Sequence, residues 1–384
     1  MSSGSQVQHL VVVSVIGVGL VGSELVDQLS HLPSPGLRDQ FQVLSLSSSR
    51  STVYYNIGSH QWQNWRNDLA ASDVKSDAQA LATKLTQIST VEEVAGLREG
   101  VSFSVIPVLV DNTSSEDVAR LYPYFLSKGV NVVTPNKKAF SSELALYDEI
   151  VAASLKTGAR FYNESTVGAG LPIISTIKDL VATGDKVSKI EGVFSGTLSY
   201  IFNEFSDGKS GNGPSFSSIV SIARQKGYTE PNPADDLNGA DVARKLTILS
   251  RCIPSLRDKL PHGYKSVSTK SLVPAALHGE SSGDEFIRKL SEYDQEFDKL
   301  RSDAFKENKV LRFVGVIDVA SGTIKADLES YPNTHPFVTS LGGSDNIVMF
   351  HTERYGARPL IVQGAGAGAA VTAMGVLGDL LRFL

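Results

Sequence analysis

The hydrophobic pattern of the chain changes character about halfway along. Val11–Ile16 is an almost unbroken β-branched run, as expected of a strand buried on both faces of a parallel sheet. Ser23–Leu29 then places Leu25, Val26 and Leu29 at helical spacing. Phe41–Leu46, Val101–Val110, Val130–Val133 and Ala159–Tyr162 are further apolar runs of strand length. Pro107 is expected to break the second of them, because proline donates no ladder hydrogen bond. Helical spacing intervenes at Trp62–Ala71 and Asp77–Leu85, from Ser114 or Ser115 to about Ser127, and at Ser142–Lys156. Alternating strands and helices predict a doubly wound sheet.

After Pro172, where another helix is expected, the order loosens. A strand at Ile190 runs into the turn Ser195-Gly-Thr197, and Leu198–Phe205 and Ser217–Gln225 are helical. Lys226-Gly227 ends the second with a C-cap pattern. A helix begins near Asn238, and Asp284–Asn308 is a highly charged helical region. Strand patterns then cluster at Lys309–Val319, Thr323–Glu329 and Asn346–Thr352. The fold class is therefore α/β: a doubly wound, Rossmann-type dinucleotide-binding domain plus an α+β domain with a second β-sheet, mixed or antiparallel. Gly364-Ala-Gly-Ala-Gly-Ala-Ala370 opens the last helix, where small residues allow close packing. It lacks the Lys-Ser/Thr of a phosphate loop.

Composition narrows the class. The 384 residues, 41% hydrophobic and 20% charged, suit two or three globular domains. A net charge of -5 without a basic block argues against a nucleic-acid partner. The single cysteine, Cys252, makes no internal disulfide, and no Cys/His spacing suggests zinc. No segment reads as a signal peptide, and neither Val11–Val21 nor Ala369–Leu384 is long and apolar enough to span a bilayer. The expectation is a cytoplasmic protein without a membrane.

Candidate chemistry sits at the strand ends. Gly17, Gly19 and Gly22 form G-x-G-x-x-G between the first strand and its helix, with Leu20 and Val21 inside the motif. The first glycine allows the tight turn, the second lets a pyrophosphate approach, and the third lets helix pack on strand. After the second strand Ser47–Thr52 holds Arg50 and hydroxyls but no acid. That composition favours NADP(H), with NAD(H) also admitted. Thr113 and Lys137 fall at the same ligand-bearing edge. Asn163–Pro172 either rings a hard cation with oxygens or joins two domains. In Gly227–Leu249 the acids Glu230, Asp235 and Asp236 precede a helix on which Asp241 and Lys245 share one face. That pair is either functional or a surface ion pair.

The stretches VIGVGLVG, VDNTSS, TPNKKAFSS, TVGAGLPIIS, EGVFSGTLSYIFNEF, GYTEPNPADDLNGADVARK and QGAGAGAAVTA, in this order, resemble the homoserine dehydrogenase family, most closely its short fungal type. The resemblance runs from about residue 11 to 381. It implies NAD(P)H-dependent, reversible reduction of L-aspartate 4-semialdehyde to L-homoserine, on the route to threonine and methionine. It implies Lys245 and Lys137 as catalytic lysines, and Glu230, Asp236, Asp241, Thr197 and Tyr228 as substrate residues. Gly17, Gly19, Leu20, Val21, Gly22, Thr113, Lys137 and Gly368 would lie on the cofactor side. Glu164, Val167, Ala169 and Leu171 would hold a monovalent cation, Na+ or K+. The resemblance also implies a homodimer. The nucleotide domain would span 1–162 and 363–384, the catalytic region 174–307, and the dimerisation region 163–173 and 308–362. Sequence carries no regulatory extension of the kind known in the family. Two rivals remain at this level. Aspartate-semialdehyde dehydrogenase needs a nucleophilic cysteine, and Cys252 lies away from every glycine-rich or strand-end site. A non-catalytic NADP(H)-sensing regulator has no use for two lysines and an acid cluster.

Overall fold

A computed structural model describes residues 8–58, 61–88 and 103–384 of the chain. Val101 and Ser102 of the expected strand lie outside them. The chain forms two compact units: Met1–Phe140, Ala145–Gly170 and Gly368–Leu384 in the first, and Ser141–Leu144 and Leu171–Ala367 in the second.

The first unit is built on a sheet of β1 (Gln8–Ile16), β2 (Phe41–Ser47), β3 (Thr52–Tyr54), β4 (Phe103–Asp111), β5 (Asn131–Val133) and β6 (Phe161–Tyr162). Their spatial order is β3-β2-β1-β4-β5-β6. All pairs are parallel except β2 with β3. Strand order reverses direction between β1 and β4, so the carboxyl ends of these two strands flank the switch point where nucleotides bind in such sheets. β1 is buried from Leu10 to Ile16, which explains its unbroken apolar run. Helix Leu20–Ser30 and the last helix, Ala369–Leu381, share a core in which Leu25, Val26 and Leu29 join Ala373, Val376 and Leu380.

Pro107 does not break β4, which pairs with β1 through Val12 opposite Pro107. The Pro107 carbonyl accepts from Asn131 Nδ2 at 3.0 Å, on the β5 side. A residue's N–H and C=O point to the same side of its strand, so the missing donor also faces β5. That strand pairs only with Val108–Val110, and no ladder bond is lost. The expected helix to Ser127 is two short ones, Glu116–Arg120 and Tyr122–Ser127, with Ser115 capping the first through the Val118 N–H.

The second unit holds a mixed sheet of β7 (Val187–Val193), β8 (Ser268–Thr269), β9 (Lys309–Asp318), β10 (Thr323–Pro332), β11 (Asp345–Thr352) and β12 (Leu360–Ala365). The order is β12-β11-β7-β9-β10-β8, and β8–β10 is its parallel pair. One face carries Val193, Val314, Val316, Ile347 and Met349 against Phe337 and Leu341. Gly315 gives the helix Ala240–Arg251 room, since a Cβ there would lie 2.7 Å from Leu246.

Sequence reasoning missed β12, which moves a boundary. Residues 360–365 pair antiparallel with β11, so the last helix opens at Ala369, not at Gly364, and the chain rejoins the first unit at Gly368 rather than 363. Residues 163–170, expected with the dimerisation region, pack in the first unit. There the Glu164 N–H donates to Asp379 on the last helix at 2.8 Å, and a Cβ on Gly170 would lie 2.4 Å from the Val371 carbonyl.

Candidate active site

The glycine-rich turn divides its three glycines by role. Gly17 has φ +90°, and a Cβ there would lie 2.7 Å from the Thr113 methyl. At Gly22 a Cβ would lie 2.1 Å from the Gly17 carbonyl. Both are glycines because backbone or side chain fills the space. At Gly19 nothing lies within 4 Å, so the backbone is open there. Gly19 is also the N-cap of helix Leu20–Ser30 and offers no side-chain cap. The first-turn N–H groups of Leu20, Val21 and Gly22 have no helical acceptor of their own, which suits an anion.

Asp111, at the end of β4, is the acid that sequence reasoning missed. It is 0% exposed. Oδ1 accepts from the Thr113 N–H at 2.8 Å, and Oδ2 from Tyr122 Oη at 2.5 Å and Asn136 Nδ2 at 3.0 Å. Asn136 also donates to the Ser115 carbonyl, and its oxygen accepts the Lys138 N–H. One carboxylate thus ties the loop of Thr113 to the turn of Lys137. Burial pushes its pKa above the usual carboxylate value despite these donors. The signal was Asp at a strand end, overlooked beside the hydroxyls that follow it. Asn112 is a second omission: both atoms of its amide are buried without a partner among the described residues. It stands against the glycine turn, 3.4 Å from where a Gly22 Cβ would be.

Arg50 is exposed on a turn that Ser48 shapes, its Oγ accepting the Arg50 and Ser51 N–H groups at 3.1 and 3.0 Å. Lys137 is half-buried after Asn136, and Gly368, at φ +118°, is the N-cap of the last helix. These residues and Thr113 all belong to the first unit.

The second unit gathers the substrate candidates. Lys245 lies on helix Ala240–Arg251, whose N-cap is Gly239 with φ 76°. The helix therefore starts two residues later than expected, because the left-handed turn needs a glycine. Lys245 is 6% exposed. Its Nζ donates to the Phe194 carbonyl at 2.6 Å and pairs with Asp241 Oδ2 at 2.7 Å. The i,i+4 pair is thus no solvated ion pair: its lysine is buried and anchored to a strand end.

Asp236 accepts from the Glu230 N–H at 2.8 Å. Burial raises its pKa to about 6, against the lowering effect of the donors; the charges of Glu230 and Asp241 add to the rise. Thr197 Oγ1 lies 2.6 Å from the Tyr228 carbonyl and 2.9 Å from Asp236 Oδ1. A hydroxyl has one proton and a carbonyl only accepts. Thr197 thus shares its one proton between the Tyr228 carbonyl and the Asp236 carboxylate. Glu230 and Tyr228 are exposed. Asp235 is exposed too and joins none of these contacts.

In the turn after β6, Val167 and Ala169 are buried, and Ala169 has φ 54° although it is not glycine. Neither carbonyl accepts a hydrogen bond among the described residues. Two free carbonyls in a buried turn suit a monovalent cation better than a divalent one, which takes charged oxygens. Glu164 turns its carboxylate to Arg382 at 3.2 Å, and its backbone oxygen accepts the Val167 N–H at 3.3 Å. Leu171 belongs to the second unit. Among the described residues no group of His, Cys, Asp and Glu could hold a metal, and no helix is long and apolar enough to cross a membrane. Cys252 caps the C-terminus of its helix and donates weakly to the Ile248 carbonyl.

An open glycine turn at the switch point of a parallel sheet, and on a second unit a buried lysine paired with a half-exposed carboxylate, are features that suit a dinucleotide-dependent oxidoreductase. A family model described as homoserine dehydrogenase matches residues 172–381, and one described as the NAD binding domain of homoserine dehydrogenase matches 17–164. The chain belongs to the homoserine dehydrogenase family. It is 46% identical over 381 residues to the homoserine dehydrogenase of Schizosaccharomyces pombe, covering 97% of this chain and 95% of that one. With the Saccharomyces cerevisiae homoserine dehydrogenase the identity is 45% over 376 residues, covering 96% and 97%. A crystal structure of a Candida auris protein of unknown function has a TM-score of 0.86 and 41% identity, covering 98% of each chain.

Proposed function

We propose that the chain reduces L-aspartate 4-semialdehyde reversibly to L-homoserine, with Lys245 placing positive charge and a proton at the aldehyde oxygen. The observation that carries this assignment is the Lys245 ammonium, buried yet held by both a carboxylate and a backbone carbonyl. A preorganised cation in a low-dielectric setting stabilises a developing alkoxide without reorganising. Lys137 is the second candidate for moving the proton. Glu230, Asp236 and Asp241 hold the substrate α-ammonium, and Thr197 and Tyr228 shape that end of the site. Bound NADP(H) supplies or accepts the hydride. The N–H groups of Leu20, Val21 and Gly22 would hold its pyrophosphate, Thr113, Lys137 and Gly368 would line its site, and Arg50 with the Ser48 turn would favour a 2′-phosphate over the bare ribose of NAD(H). The backbone oxygens of Glu164, Val167, Ala169 and Leu171 would hold Na+ or K+. The protein acts as a cytoplasmic homodimer in this reading, supported by the strand-rich stretch after Asn308; light scattering tests the dimer.

Lys245→Ala is expected to lower kcat by roughly 100-fold or more while the variant stays folded and binds NADPH. The check is homoserine oxidation followed as NADPH formation, with NAD+ in parallel. Near-normal turnover would remove Lys245 from the mechanism.

A further inference from the structure

The glycine-rich stretch before the last helix has a task beyond close packing. A Cβ on Gly366 would stand 2.0 Å from Nδ2 and 2.1 Å from Cγ of Asn346. The position is glycine because the Asn346 side chain fills it. Asn346 lies on β11 and is 1% exposed. Its Nδ2 donates to the Phe194 carbonyl at 2.9 Å. The same carbonyl accepts Lys245 Nζ at 2.6 Å. Two donors thus fill both acceptor positions of one carbonyl oxygen.

Asn346 Oδ1 is buried and has no partner among the described residues. Turning the amide over would set that oxygen against the Phe194 carbonyl, so the donor orientation is the favourable one. A buried amide that leaves its own oxygen unmet is poor material for a core. Its donor explains why it is there. Phe194 follows the end of β7, and Ser195 then caps the helix Gly196–Phe205. The Phe194 peptide sits at that junction, and Asn346 fixes its carbonyl from the neighbouring strand, β11 pairing with β7. Asp241 also anchors Lys245, and its side chain is 46% exposed.

We propose that Asn346 is a positioning residue for Lys245, acting through the Phe194 carbonyl, with Gly366 as the space that admits it. The inference rests on the reading of Lys245 as the group that serves the aldehyde oxygen. Asn346 touches no reacting atom in this account. It determines where the ammonium stands.

The test measures kcat, both KM values and NADPH binding for Asn346→Ala, Asn346→Asp and Gly366→Ala. Asp keeps the shape but, when ionised, offers the carbonyl no donor; the Gly366 methyl displaces the amide from the other side. Each is expected to lower kcat by roughly 10- to 100-fold, with KM for NADP+ changed less than about twofold. The loss is expected to vanish when Asn346→Ala is added to Lys245→Ala, because two groups acting as one unit are not additive. Micromolar enzyme makes the residual rates readable. If Asn346→Ala fails to fold, the isosteric Asp variant and the single added methyl of Gly366→Ala still decide the matter. Full turnover in the folded variants overturns the inference while Lys245 stays in place. So does an Asn346→Ala loss repeated undiminished without the lysine. Normal turnover in Lys245→Ala alone overturns the underlying reading instead.

Discussion

Asp111 and Asp236 are both carboxylates pushed upward by burial, one in each unit, but their surroundings differ. Asp111 is enclosed, with the Thr113 N–H, Tyr122 Oη and Asn136 Nδ2 converging on it. Its neighbours are donors, and it pins two loops together. Asp236 is half-buried, and the acids Glu230 and Asp241 act on it. Those acids repel its charge until a cation arrives. Burial alone does not tell a structural acid from a binding one; the charge and donor count of the neighbours do.

The comparison breaks most visibly at Asp111. Asp111→Ala leaves a buried hydroxyl, amide and N–H without their acceptor, so a stability loss of about 3 kcal/mol is expected. NADPH affinity should fall with it, because the loop of Thr113 loosens. Urea unfolding and a fluorescence titration check both. Intact stability would mean that Asp111 pins nothing.

Asp236→Asn should do the reverse, leaving stability nearly unchanged and raising KM for homoserine by roughly tenfold. The pH dependence follows from the sign of the shift. If the ionised carboxylate binds the ammonium as proposed, kcat/KM for homoserine falls as pH drops through about 6. That limb should disappear in Asp236→Asn. For folding the same shift acts oppositely. The folded chain holds this proton more tightly than the unfolded one, so the group's stabilising effect is greatest below its ordinary 3.8 and is lost as pH rises to about 6.

The smallest effect sharpens the account. Tyr122→Phe removes one of the donors to Asp111 and should cost about 1 kcal/mol with turnover retained. A large loss of kcat instead would give the Asp111 nest a part in the chemistry.

Much of the first unit was legible because its signals are local. A β-branched run, three glycines at fixed spacing and a helical repeat are all set by neighbours in sequence. Pro107 was misread for the same reason: whether a missing N–H matters depends on where β5 begins, which is not local. The second unit was less legible. β12 opens on the apolar run Leu360-Ile361-Val362, but three residues before Gln363 and Gly364 are short for a strand signal, and its half-buried and exposed residues alternate in the fold.

The sequence by itself determined the dinucleotide turn, a second sheet and the pairing of Asp241 with Lys245, since four residues along a helix bring two side chains to one face. Tertiary structure alone decided where that pair stands. Phe194 and Asn346 lie 51 and 152 residues away from their partners in the two hydrogen bonds that converge on one carbonyl. Only the pairing of β7 with β11 brings them together. Burial and convergence are properties of the packed sheet, and no spacing along the chain encodes them.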